Sequence, residues 1–500
     1  MLQVLHCLLL ILLFQLCIWF YIYYTKPFDY WKVRKVPFVQ PKFPFGSLTD
    51  VFITKAHPGK FIGNICNKTK ERYFGFYAFN RPYLVVNDPE FIKTILIKDF
   101  KYFSNRYFIC DDTIDYTNST GLFAIKNPKW RSLRTKMNPA FSLSKLNLMV
   151  PLIKAVNVNL NLFIIKHIEK SVEVKEMCAK YTTDVIASCF FGLSVNSFEI
   201  ESQFRIAGRR LLSRSFWRSL SVLSYYYAPK LVETFRFRFL ESSAVAFLGE
   251  VFRNTIEGRR SSKIRRNDFI DILIKLRDEA PQDGDFNFDD SSLVAQAVTF
   301  FSSGFESSAS TIAFTLHELA VHADIQARLR REVEEVIQEH GGLVYHAIND
   351  MSYLHMVISE SLRKYPTTSF IHRECVKNYV VPETGLLIEK GTPIVISQYG
   401  LHYNNANFPN PEKFDPERFN TTNIHQIKSC TYLPFSDGPR NCIGQMFGLL
   451  MVKMGIIEII RNFEVTTNEM TKEPVILEPF PIIQAKYGLN LTFLSTKAST

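Results

Sequence analysis

Residues 435–444 read FSDGPRNCIG, and the run after them, QMFGLLMVKMGIIEIIRNF, is apolar on nearly every side. A helix that is apolar all round is a buried one. Cys442 is therefore expected at the N-terminus of a core helix. Free N–H groups and the positive end of the helix dipole favour a thiolate there. Gly438 permits a tight turn, and Gly444 lets a flat ligand approach the backbone. Arg440 puts a cation two residues from the sulfur, on a side where the carboxylates of a macrocycle could sit. The plain alternative is a small buried cysteine at the start of a core helix.

The decapeptide satisfies F-x-x-G-x-R-x-C-x-G at every fixed position, and in this it resembles the haem-ligand loop of the cytochrome P-450 family. The resemblance implies a mainly α fold with small β-sheets and a haem (iron protoporphyrin IX) whose iron is held axially by Cys442. Phe435, Gly438, Arg440 and Gly444 would shape the cofactor's seat. The likeness recurs in order along nearly the whole chain. Residues 360–363 read ESLR, an E-x-x-R pair whose side chains are neighbours on one helix face. Residues 416–419 read PERF, and Arg418 would join Glu360 and Arg363 in a buried structural network. Trp130 and Arg134 form W-x-x-x-R, one turn apart on one face; with Arg373, in FIHREC, they are implied as partners of the haem propionates.

Residues 292–323, SLVAQAVTFFSSGFESSASTIAFTLHELAVHA, predict a long buried helix with a polar notch. A second membrane span is disfavoured by the serine cluster and by Glu306, since a carboxylate at mid-bilayer is costly. The notch resembles the family's A-G-x-E-T-S motif, with Ser303 for Ala and Ser307 for Thr. Gly304 would leave room for O2. Glu306 and the Ser307 hydroxyl would form a proton route to the distal oxygen, while the thiolate donates electrons from the other side. Serine lacks the methyl that restricts a threonine rotamer, so imperfect coupling with peroxide release is expected. His317 and His322, in HELAVH, are five residues apart and point about 140° from one another on a helix, which is no zinc-protease spacing.

The N-terminal run LLLILLFQLCIWFYIYY carries no charge and is long enough to cross a bilayer core as a helix. Trp19, Tyr21, Tyr23 and Tyr24 sit at its end like an interfacial belt, and Lys26, Lys32, Arg34 and Lys35 follow. By the positive-inside rule the rest of the chain stays cytosolic. A cleaved signal peptide would need a basic start and a small-residue cleavage site. The expected layout is an anchor over 1–25, a basic, proline-rich hinge over 26–50 and a catalytic domain over 51–500. Localisation on the cytosolic face of the endoplasmic reticulum membrane (microsomal) follows from that reading. Four N-x-S/T sequons, at Asn67, Asn118, Asn420 and Asn490, should then stay unmodified.

The formal net charge of +11 suits anionic head groups or an acidic protein; no motif points to nucleic acid. Nine scattered cysteines without a C-x-x-C pair argue against a disulfide framework. No G-x-G triplet occurs, so neither a dinucleotide fingerprint nor a Walker loop is present. A redox enzyme built this way takes its electrons from a partner. The resemblance implies an NADPH-dependent flavoprotein reductase, with cytochrome b5 as a further donor. The basic face Lys126, Lys129, Arg131 and Lys136 is its expected dock.

Short strands are expected near Tyr83–Asn87, Tyr379–Pro382 and Pro393–Ser397, and exposed connections over 258–268 and 278–292. The resemblance implies that the loop 106–123 covers a pocket, with Phe108, Ile114 and Phe123 as candidates to line it together with Phe300, Phe301, Phe370, Ile371 and Ile482. So aromatic a lining suits a lipophilic small molecule. Residues 211–240 interleave aromatics and arginines, as in a surface that dips into lipid head groups. The segment 181–198, YTTDVIASCFFGLSVNSF, narrows the likeness to microsomal, insect-type, xenobiotic-metabolising members. The implied reaction is insertion of one oxygen atom from O2 into a xenobiotic, or an endogenous hormone or lipid. Alternatives are a thiolate-haem isomerase or dehydratase, and a non-catalytic haem carrier or sensor.

Overall fold

The computed structural model describes residues 2–496 except 54, 212, 214, 263–265, 267, 280–285, 287 and 481. Helices dominate. Those that matter for function are α1 (Leu2–Thr25), α2 (Lys129–Met137), α3 (Leu143–Lys166), α4 (Val174–Phe191), α5 (Asp290–Val321), α6 (Ser352–Lys364) and α7 (Gln445–Asn462).

α5 is the central element. Asp289 caps it by accepting the Ser292 N–H at 2.6 Å, and it runs 32 residues, bounded within two residues of its expected limits. The side chains of Leu293, Ala297, Phe301, Phe305 and Ala309 are fully buried against the helices around it. α7 crosses it where Gly448 lies beside Ser308: a Cβ added there would come 3.9 Å from the serine Oγ.

A four-stranded sheet packs to one side of the helices. β1 (Tyr73–Ala78) pairs antiparallel with β2 (Arg81–Val86), and the order continues through the parallel strand Pro393–Ser397 to Phe370–Glu374. Their apolar, β-branched and aromatic residues supply both faces. A three-stranded sheet joins Ser171–Glu173, Asn490–Ser495 and Phe463–Thr467. The expected strands at 83–87, 379–382 and 393–397 are present within two residues.

α1 is exposed along its length, as a membrane anchor would be outside lipid. α3 is also long and apolar enough to span, but its inner face is packed in the core.

The segment expected as a hinge, 26–50, is instead built into the sheet. Trp31 is buried over Gly75, where a Cβ would come within 2.2 Å of the indole. The Trp31 N–H donates to the Tyr77 hydroxyl at 3.2 Å, and Phe38 and Gly46 bridge to Gly75 and Ala78. Proline stiffening here serves packing rather than swivelling. The expected exposed connection at 258–268 is in part helical, because the helix Ser242–Ser262 runs into it; much of 278–292 lies outside the described residues.

Candidate active site

The cysteine loop is held by its own backbone. The Cys442 N–H donates to the Phe435 carbonyl at 2.9 Å. Gly438 has φ +73°, and a Cβ there would come 2.0 Å from the Leu96 carbonyl oxygen; only glycine fits that turn. Two residues, Ile443 and Gly444, separate Cys442 from the first residue of α7. Cys442 lies deep in the fold yet its side chain is uncovered, so its sulfur faces an interior space. Burial pushes its thiol up, while the Gly444 N–H and the Arg106 and Arg134 guanidiniums pull it down. A Cβ added at Gly444 would meet nothing nearer than Phe141 at 4.0 Å, which leaves a flat approach beside the sulfur.

Around this loop stand three guanidiniums, and among the described residues no carboxylate accepts a hydrogen bond from any of them. Arg440 and Arg373 are fully buried. Arg440 lies over the Trp130 ring, 4.6 Å from its centroid. Its Nε and Nη1, the Nε of Arg373 and the Trp130 Nε1 are buried without a partner. Arg373, on the strand Phe370–Glu374, donates to the His372 carbonyl at 2.9 Å and to the Ser436 hydroxyl at 3.3 Å. Arg106, overlooked in the sequence reading, completes the group: it donates to the carbonyls of Phe123 (2.9 Å) and Arg440 (3.2 Å). Burial, then mutual repulsion, push Arg373 down to about 9 and Arg440 well below the usual range; burial brings Arg106 to about 10. Buried donors left unmade and unbalanced positive charge both carry a cost. A ligand with two carboxylates would offset both, beside a sulfur suited to iron. The residues present thus fit a haem.

Arg134 differs from its expected role. Its Nη1 and Nη2 donate to the Asn441 carbonyl and side-chain oxygens at 2.9 and 2.8 Å, and its Nε to Asn138 at 3.0 Å. It braces the residue next to Cys442 with three of its five N–H donors, one N–H on each of Nη1 and Nη2 being left over.

The E-x-x-R network is assembled. Arg363 Nε and Nη2 donate to the two Glu360 oxygens at 2.7 and 2.8 Å, Arg418 Nε reaches Glu360 at 3.4 Å, and the Asp415 N–H adds a bond of 2.9 Å. Burial raises the Glu360 carboxyl, opposed by Arg363. The network reaches the cysteine loop through His402, whose Nε2 accepts the Leu433 N–H at 3.0 Å and whose Nδ1 is 3.1 Å from the Arg363 carbonyl.

On α5, Ser303 is exposed midway along an otherwise buried helix and Ser307 is half-uncovered. Both open inward. The Ser307 hydroxyl donates to the Ser303 carbonyl at 2.7 Å. Glu306 is buried and committed: Lys175 Nζ stands 2.9 Å from one oxygen and Gln484 Nε2 donates to the other at 2.9 Å. At Gly304 a Cβ would come 2.8 Å from the Ile186 Cδ1 on α4, so a side chain there would have to displace the end of that isoleucine. His317 turns to Glu473 and His322 to Glu318, so the two histidines share no site.

The expected pocket lining divides. Phe123 lies under Arg106, 4.4 Å from its guanidinium, and so borders the site. Ile371 shares a strand face with Arg373, whereas Phe370 is on the opposite face beside His372 (5.6 Å) and away from the site. Ile482 bridges to Thr368, two residues ahead of that strand. Phe108 and Ile114 are buried in a cluster with Tyr225. Phe301 packs on Phe191, Phe204 and Phe305, and Phe300 on Phe141, Phe190 and Phe269; both belong to helix packing. Of the basic face, Lys126 is paired with Glu374 at 2.8 Å and Lys136 covers Phe288, leaving Lys129 and Arg131 exposed. In 211–240, Trp217 and Phe235 are 69% and 62% exposed, while Tyr225 and Tyr227 turn into the core.

A thiolate loop, a cluster of guanidiniums without counter-ions and a buried E-x-x-R network define a haem-thiolate protein. The family model for cytochrome P450 matches residues 41–493, and the chain belongs to that family, whose members are haem-iron monooxygenases. It is 37% identical to cytochrome P450 6k1 of Blattella germanica over 98% of both chains. It is 38% identical to the probable cytochrome P450 6g2 of Drosophila melanogaster over 93% of this chain and 94% of the other. To cytochrome P450 6j1 of Blattella germanica it is 36% identical, over 94% and 95%.

Proposed function

We propose that this protein inserts one atom of O2 into a lipophilic small molecule, a xenobiotic or an endogenous lipid or hormone, with electrons from NADPH delivered by a separate flavoprotein reductase and cytochrome b5 as a second donor. In this reading α1 anchors it in the endoplasmic reticulum membrane with the remainder on the cytosolic face. The observation that carries the reading is the guanidinium cluster beside Cys442, a seat for a dianion next to an iron ligand.

Cys442 would ligate the iron. Arg106, Arg373, Arg440 and the Trp130 indole would hold the propionates, and Arg134 would fix the loop through Asn441. When bound there, an iron porphyrin supplies oxygen activation, with the thiolate as electron donor. The chain's own groups manage protons. Glu306 would accept a proton from the Lys175 ammonium, which is partly open to solvent, and pass it on. Ser307 Oγ passes one inward by swinging off the Ser303 carbonyl. Phe123 and Ile371 present apolar surface to the substrate and exclude water.

A second reading, a thiolate-haem isomerase that needs no oxygen, draws on one observation: Glu306 is already paired with Lys175 and Gln484. The reduced carbon-monoxide spectrum of wild type and Cys442→Ser tests ligation. NADPH-dependent O2 uptake in reductase-containing microsomes, with products heavier by one oxygen, separates the two; product without O2 uptake would favour the isomerase.

A further inference from the structure

α3 carries two apolar faces, and only one is used. Leu146, Met149, Ile153, Leu160 and Ile164 are buried against α4 and α7. On the outer side Leu148, Val158, Leu162 and Ile165 are 41%, 57%, 59% and 55% exposed. With exposed Pro151 and Ala155 they form a stripe spaced alternately by three and four residues, the a/d pattern of a helix that pairs with another helix. Beside it runs a groove of about 350 Å³ walled by Val158, Leu162, Leu343 and Arg461. Asn157 and Asn161 line it too. The Oδ1 atoms of both are buried without a hydrogen-bond partner, and Asn157 is 2% exposed.

We infer that this face docks an amphipathic helix of a partner protein, apolar at its own a/d positions and acidic along its edges. Charge selects that occupant. The residues flanking the stripe are Asn147, Lys154 and Asn161 on one edge and Leu152, Asn159 and Lys166 on the other. α3 holds three lysines, Lys145, Lys154 and Lys166, and no Asp or Glu; among the described residues none of the three has an ion-pair partner. Arg461 faces the groove from α7, where Glu458 is tied to Asn462 (2.9 Å) and Asn157. A second copy of the chain would bring lysine and asparagine edges together with no opposite charge. A lipid surface is the poorer match, because the anchor leaves the fold beside the four-stranded sheet, through Tyr24 on Pro44 and Trp31 on Gly75, whereas α3 packs on α4 and α7. Glutamates at the partner's e and g positions would meet the lysines.

The probe is a fluorescent 21-residue designed helix, with Leu at a/d and Glu at e/g, titrated onto full-length haem-loaded protein in nanodiscs. Saturable binding is expected, weakened at least about tenfold by Leu162→Asp. Lys154→Glu should weaken it at low ionic strength and much less in high salt. An unchanged carbon-monoxide spectrum shows that each variant is folded. The inference is overturned if a peptide with Lys at e/g binds as tightly, or if Leu162→Asp binds like wild type. It is also overturned if no peptide binds. Quenching of a Leu162→Trp fluorophore by brominated lipid would then assign the face to the membrane, and a dimer in sedimentation that Leu162→Asp abolishes would assign it to a second copy.

Discussion

The Lys175 ammonium stands 2.9 Å from a Glu306 carboxylate oxygen, with Gln484 bound to the other. A carboxylate on the central helix is thus balanced by a cation from a neighbouring helix. Removing one partner leaves a buried charge uncompensated. Lys175→Met is expected to cost about 2–4 kcal/mol, less than a fully enclosed pair because the lysine is partly open to solvent. Adding Glu306→Gln should recover most of that loss. Urea unfolding of the single and double variants measures it; additive losses would show that the pair is not coupled.

Ser307 donates its proton to the Ser303 carbonyl at 2.7 Å, so delivery into the interior requires it to rotate away. A serine does this without the steric bias of a threonine methyl. The expected outcome is measurable peroxide in wild type and less in Ser307→Thr, read as peroxide formed per NADPH consumed. Equal peroxide in the two proteins would mean that the hydroxyl's rotamer does not govern coupling.

The contrast between Arg440 and Arg106 shows what was legible in the chain. Arg440 sits in a loop whose glycines and cysteine fix its local geometry, so its place follows from ten consecutive residues. Arg106 opens the loop 106–123 but has no local pattern around it; its role arises only because the fold brings residue 106 against residues 123 and 440. Lys175 and Gln484 escaped notice for the same reason. Phe300 and Phe301 show the opposite error. The family resemblance implies a pocket lining there, but a helix turns about 100° per residue, and their rings meet other helices. Helices, anchor and central notch were readable because their periodicity is local. Which strand face meets the site, as for Phe370 and Ile371, needed the pairing register.

Burial holds His57, His372 and His402 down to about 3. A depressed histidine contributes stability above its unfolded value of about 6.5, and that contribution is lost as pH falls toward the folded value. Asp184, raised by burial to about 6, has the opposite sign: it stabilises below about 4, and that contribution is lost as pH rises through 6. Three histidines outweigh one aspartate. Stability should be level near pH 7.5 and decline below about 6.5, with a slope approaching about 1.4 kcal/mol per pH unit for each histidine. His57→Gln should shallow that slope, measured as the urea midpoint between pH 7.5 and 5; an unchanged slope would mean that His57 accepts its proton without unfolding.

Glu360 and Arg363 are both fully buried, and their network reaches the cysteine loop through His402. Arg363→Ala leaves the Glu360 carboxylate without its bidentate partner, at a cost of about 3–5 kcal/mol. Arg363→Lys restores the charge but not the fork that spans both oxygens. Both variants are expected to lose haem and fold together, the lysine variant less completely. The check is the carbon-monoxide spectrum alongside near-ultraviolet circular dichroism. A folded Arg363→Ala protein that retains haem would remove the network from any role in holding the site.

Arg106, Arg373 and Arg440 repel one another, and each is depressed chiefly by burial. Replacing Arg106 with Gln removes one of three like charges while keeping a donor for the Phe123 and Arg440 carbonyls. In haem-free protein the substitution should therefore leave stability unchanged or raise it. In haem-loaded protein it should lower it, because one counter-charge to the propionates is gone, and haem should transfer to apomyoglobin faster. This opposition of sign distinguishes a ligand-binding arginine from a structural one, which would destabilise both forms alike. Thermal unfolding of the two forms, with the transfer rate, decides it. A loss of stability equal in both would place Arg106 in the fold and not in the cofactor's seat.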